Sequence, residues 1–83
     1  MRLAKFVKFR EEKFGGVLFE TRSEKVFTLT QTATAIVREL SAGDEGAIIA
    51  RLKEHFDDRG GATIERDVRA FVADLRQRGL VED

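Results

Sequence analysis

Apolar positions change their spacing once along this chain, near residue 30. Up to that point they alternate with polar ones. Lys5-Phe6-Val7-Lys8-Phe9-Arg10 holds β-favouring residues in partial alternation. Val17-Leu18-Phe19 and Lys25-Val26-Phe27-Thr28-Leu29 read as two further strands. In the last of these, Phe27 and Leu29 face one side and Val26 and Thr28 the other. Glu11-Glu12-Lys13 suits a polar connection, Gly15-Gly16 a turn or bulge, and Thr21-Arg22-Ser23-Glu24 a second polar break. Three short strands with short links predict a meander.

After Leu29 the period becomes 3.6. Thr30 or Thr32 supplies a hydroxyl to cap a helix. Ala33, Ile36, Val37 and Leu40 then share one face, and Gly43 ends the helix. Asp44 caps a second helix with the stripe Ile48, Ile49, Leu52 and Phe56. Asp57-Asp58-Arg59-Gly60-Gly61 reads as a turn. Thr63 is placed to cap a third helix, with Glu65 near its positive end and Ile64, Val68, Phe71, Val72 and Leu75 as its stripe. Gly79 stops it, and Leu80-Val81 can fold back on the core. Each helix has one apolar stripe, so sheet and helices must cover one another. The fold class predicted is α+β: a three-stranded antiparallel sheet followed by a three-helix bundle, as one domain over residues 1–83.

Eighty-three residues make a thin core with little room for a deep enclosed active site. Charged residues at 36% and apolar residues at 42% suit a folded globular chain. There is no cysteine, hence no disulfide framework, and a reducing cytoplasm is the expected location. Neither a signal peptide nor a membrane span is legible. Net charge is zero, but residues 1–30 carry seven Lys/Arg against four Asp/Glu, while residues 31–83 carry eight against eleven.

The inventory argues against catalysis. His55 is the single histidine and reads as a surface or partly packed side chain. The usual zinc ligands are too few. Ser23 and Ser41 have no histidine at a suggestive spacing. Asp57 and Asp58 do not follow a calcium-loop pattern, and Gly15-Gly16 lacks a phosphate-loop context. No cofactor or metal is expected. A winged-helix DNA reader is the alternative from the helical half, because Arg66, Arg69, Arg76 and Arg78 decorate the third helix. Yet residues 64–79 hold four basic against three acidic side chains, and a neutral chain gains little from counterion release. A purely structural subunit of an enzyme complex is a third reading.

Gly16-Val17-Leu18, then Val26-Phe27-Thr28-Leu29-Thr30-Gln31-Thr32-Ala33, then Ile36 and Leu40-Ser41-Ala42-Gly43, run in the order and spacing of a known family. Asp67-Val68, Phe71-Val72, Leu75 and Gly79-Leu80-Val81 continue the pattern. Across residues 14–81 the chain resembles the PqqD-like peptide chaperones, the precursor-peptide recognition elements. Thr30 stands where the family often has Asn; both cap helices. Phe14-Gly15-Gly16 is similar to the mycofactocin branch.

The resemblance implies a binding module for the leader of a ribosomally made precursor peptide. It implies an extended peptide laid along the third strand, in a groove bounded by the third helix. It also implies delivery to a modifying enzyme, often a radical S-adenosylmethionine enzyme. The candidate peptide-binding residues are Lys25, Val26, Phe27, Thr28 and Leu29 on the strand, and Val68, Arg69, Val72 and Arg76 on the helix. Two flanks of that helix compete for the groove: Val72 with Arg69 and Arg76, and Phe71 with Asp67 and Arg78. The Val72 flank is the expected wall, since an apolar floor bordered by arginines suits apolar and acidic peptide side chains. Val72 as the mere margin of the core is the competing expectation. Neither nucleic acid nor membrane is an expected partner, and both a monomer and a swapped homodimer fit the sequence.

Overall fold

The computed structural model describes residues 1–55 and 62–82. The elements run β1 (Arg2–Leu3), β2 (Val7–Glu12), β3 (Gly15–Glu20), β4 (Lys25–Leu29), α1 (Gln31–Arg38), a short 3-10 turn (Leu40–Ala42), α2 (Glu45–His55), α3 (Ala62–Gln77) and β5 (Val81–Glu82). β2, β3 and β4 form an antiparallel sheet in that order, and β1 pairs with β5 in a separate two-stranded ribbon. The α+β expectation holds. The stripe residue Phe56 and the turn at residues 57–61 lie outside the described residues, as does the side chain of His55.

Register assigns the faces of the sheet. Phe9, Leu18 and Phe27 stand in one row across the three strands, and Lys8, Phe19 and Val26 in the next. Successive strand residues point to opposite faces, and the first row packs into the core while the second stays exposed. Leu18, Ile36, Ile48, Val68, Val72 and Leu75 are the largest fully buried side chains. The core therefore sits between the inner face of the sheet and the helices.

The strand boundaries differ from the sequence expectation in two places. Glu11 and Glu12 belong to β2, and the hairpin turn is Lys13-Phe14. Gly15-Gly16 is not a turn but the start of β3, paired with Glu12 and Glu11. Gly15 has φ +149°, and a Cβ there would lie 2.2 Å from the Leu29 carbonyl oxygen. At Gly16 a Cβ would lie 2.8 Å from Thr34 Oγ1. The glycines let β3 run directly beneath the junction of β4 and α1.

The helix ends at Thr30, Asp44 and Gly79 follow their sequence signals, whereas α1 stops at Arg38 and Leu40 lies in the 3-10 turn before Gly43. Thr30, not Thr32, caps α1: its Oγ1 accepts from the Ala33 N–H at 3.1 Å. Buried Thr34 donates its hydroxyl to the Thr30 carbonyl at 2.8 Å. The Asp44 carboxylate accepts from the Ala47 N–H at 3.0 Å and starts α2. Thr63 lies inside α3, whose first residue is Ala62. At the far end, Gly79 adopts φ +71°. Its N–H donates to the Arg76 carbonyl at 3.0 Å, and the Leu80 N–H donates to the Leu75 carbonyl at 2.9 Å. That is a Schellman closure, with buried Leu80 as its hydrophobic contact. It aims the chain back so that Leu80 accepts from the Ala4 N–H and β5 meets β1.

A candidate peptide-binding edge

β4 hydrogen-bonds β3 on one side, and among the described residues no strand pairs with its other side. Alternate residues of an unpaired edge turn N–H and C=O groups outward, which is a template for another extended chain. β2 is the opposite edge, and it carries Lys8, Arg10, Glu11 and Glu12, charges of the kind that discourage pairing. β4 has a charge at its first residue alone: Lys25 is followed by Val26, Phe27, Thr28 and Leu29. The two edges differ in chemistry, and β4 is the less charged one.

The five strand residues expected at the site lie along this edge. Val26 is 59% exposed on the outer face, with Thr28 beside it. Phe27 is half-buried on the inner face and Leu29 is buried. Lys25 is exposed at the strand's start.

The four helix residues expected beside the strand are not placed alike. Val68 and Val72 are each 0% exposed, so their side chains belong to the core and cannot line an open groove. Arg69 pairs with Glu65 at 3.2 Å and with Glu45, the first residue of α2, at 3.1 Å. Its flank is turned toward α2. Arg76, in the last turn of α3, is exposed. The Phe71 flank is the open one. Phe71, Ala70, Asp67 and Asp74 of α3 face Thr30, Thr32, Ala33 and Ile36 across a cleft of about 540 Å³. Ala33 with Phe71 and Ala70 make it apolar, buried Ile36 lies beneath, and Asp67 and Asp74 give it an acidic rim. Arg78 links this flank to β4: its guanidinium carbon lies 5.2 Å from the centroid of the Phe27 ring. Asp74 holds that guanidinium from behind, both carboxylate oxygens being 3.1 Å from Nε. A heptad-like stripe has two margins, and the packing of α2 decides which one is open.

The loop leading into β4 is tied by one carboxylate. Glu20 accepts from the Arg22 N–H at 3.0 Å, from Arg22 Nε and from the Ser23 hydroxyl. The Ser23 hydrogen bond, with those from Arg22, outweighs burial and holds the Glu20 carboxyl below the usual glutamate range. Glu24 takes up φ +59° to close the loop.

Two observations bear on other readings. Among the described residues, no cluster of three or more His, Cys, Asp or Glu is placed to hold a metal ion. On α3, Arg66 is 3.8 Å from Asp67 and Arg69 is held by two glutamates, while Arg76 makes no ion pair among the described residues; Arg78, just past the helix, is held by Asp74. A helix most of whose arginines are already paired with carboxylates is poorly suited to phosphate contacts.

Residues 15–81 match the model of a family described as coenzyme PQQ synthesis protein D (PqqD). The chain belongs to the PqqD family. Its fold is that of TbiB1, solved in complex with the TbiA(beta) leader peptide: TM-score 0.83, 22% identity, 99% of this chain and 95% of that one covered. It is similar also to a lasso peptide synthetase B1 solved with its leader peptide: TM-score 0.79, 26% identity, with coverage of 99% and 96%. No curated protein matches the chain. No helix among the described residues is long and apolar enough to cross a membrane.

Proposed function

We propose that this PqqD-family chain is a non-catalytic module that binds the leader of a ribosomally made precursor peptide and presents it to a modifying enzyme. The leader adds as a strand to the free side of Lys25–Leu29. Backbone hydrogen bonds supply affinity, and side chains entering the cleft beside Phe71 supply selectivity. The observation that carries this reading is a β4 edge charged only at Lys25, unpaired among the described residues, with an adjoining apolar cleft. The leader-bound state of the solved relative at 26% identity supports it. The groove wall proposed is the Phe71–Asp74–Arg78 flank in place of the Val72 flank.

The enzyme served is proposed to be a radical S-adenosylmethionine enzyme, the partner that the family implies. A lasso peptide synthetase is the second reading, favoured by the solved relative at 26% identity. The proposed place of action is the cytoplasm. Titration of isotope-labelled protein with the precursor peptide encoded beside it tests the reading. Amide shifts centred on Lys25–Leu29, Phe71 and Asp74 are expected. Saturating leader with no shift at β4 overturns it.

A further inference from the structure

The outer face of the sheet is built unlike an ordinary solvent face. An antiparallel sheet with one face on the core normally turns polar residues to water. Here two cross-strand rows run Lys8–Phe19–Val26 and Arg10–Val17–Thr28. Phe19 is 37% and Val26 59% exposed, and Val17 is half-buried between them. These side chains line a shallow depression that Lys8 and Arg10 bound on the β2 side. The cationic side is uneven in its neutralisation: Arg10 pairs with Glu12, whereas Lys8 makes no ion pair within the described residues. The core residues of the sheet all point the other way, so nothing in the fold requires these apolar side chains.

We infer that this outer face is the docking surface for the modifying enzyme, which meets it with an apolar patch edged by carboxylates on the β2 side. The inference rests on the proposed function for the identity of the partner. Charge selects the occupant. A second copy of this chain pairing through the same face brings two Lys8 and two Arg10 to one contact, with Glu12 as the sole carboxylate of the face. Size agrees: three partly exposed apolar side chains fall well short of the roughly 800 Å² per partner of a stable interface. A small apolar centre with a charged margin fits a transient encounter with a complementary surface.

The position has a mechanical consequence. A leader added to β4 extends this same face by one strand, so alternate leader residues join the surface the enzyme meets. Leader and enzyme then contact each other as well as the module, and each raises the affinity of the other.

The test is binding of the full chain to the purified modifying enzyme encoded beside it, with and without leader, by interferometry. Lys8→Glu and Phe19→Ser are compared with wild type, and leader affinity is measured in parallel. Each substitution is expected to weaken enzyme binding about tenfold or more and to leave leader affinity unchanged. Lys8→Glu should act mainly by slowing association. Unchanged enzyme binding in both variants overturns the inference. So does wild-type protein that binds leader but not enzyme. Sedimentation showing self-association that Phe19→Ser abolishes, or Phe19-dependent binding to anionic lipid vesicles, assigns the face to another occupant and equally overturns it. Failure of the leader titration alone counts against the proposed function and leaves the face to be judged by the two variants.

Discussion

Arg78 lies over the ring of Phe27, and this contact joins the end of α3 to the middle of β4. The guanidinium cannot shift freely, because Asp74 one turn earlier grips its Nε. Cation–π contacts at exposed sites are worth roughly 0.5–1 kcal/mol, and i,i+4 ion pairs add a few tenths. Arg78→Ala is accordingly expected to lower stability by about 1 kcal/mol in urea unfolding. It should weaken leader binding more than that loss, because the wall beside Phe27 is released. Arg78→Lys should restore little of this, since an ammonium lacks the planar fork.

The acidic rim of the cleft gives a charge preference. Asp67→Lys is expected to leave the fold intact, because the side chain is partly exposed. Affinity for a leader carrying Lys or Arg next to its apolar anchor should fall, and rise for one carrying Asp or Glu. Isothermal titration with a pair of such peptides reads the reversal. The effect should be a few-fold and shrink with added salt.

Val72 belongs to the core, so Val72→Asp is expected to abolish the fold instead of acting on binding. An unpaired carboxylate in an apolar interior costs several kcal/mol, against a total stability of about 5–15 kcal/mol for a whole domain. Far-ultraviolet circular dichroism of the variant checks it. A folded Val72→Asp protein would contradict the packing described above.

At Gly15 a methyl group meets backbone. The Leu29 carbonyl oxygen 2.2 Å from the added Cβ cannot retreat without moving the strand-to-helix junction. Gly15→Ala should destabilise by about 3 kcal/mol or more, combining the clash with the left-handed backbone. Any folded fraction should bind leader poorly, since β4 must shift. Chemical denaturation followed by leader titration reads both effects.

Glu20 sets an acid limit. Its folded carboxyl titrates below the unfolded one. Its contribution to stability is therefore complete above the ordinary glutamate range and is lost as pH falls through the lowered folded value. Thermal midpoints from pH 7 to 3 should fall less steeply in Glu20→Gln than in wild type. Ser23→Ala, which removes the largest cause of the shift, should give an intermediate slope.

These predictions separate what the sequence discloses from what packing decides. Thr30, Asp44 and Gly79 announce helix ends because capping is local chemistry, and each acts as its type suggests. Gly15-Gly16 misleads, because glycine marks a turn and a close backbone approach alike. The ribbon of Arg2–Leu3 with Val81–Glu82 is too short to show a period. The edge strand is legible from alternation, but the flank of α3 that borders the cleft is not. Val72 and Phe71 border the same stripe, and only the position of α2 and its Glu45–Arg69 pair shows which border is covered.

The charged β2 edge and bare β4 edge leave the sheet one direction in which to grow. A strand received there would be read by parity: every second residue of the ligand turns to the cleft, and the ones between turn to the opposite face. Deleting one residue inside the recognised stretch would exchange the two sets for everything beyond it. Spacing along the ligand, and not composition alone, would then distinguish a cognate leader from a scrambled one.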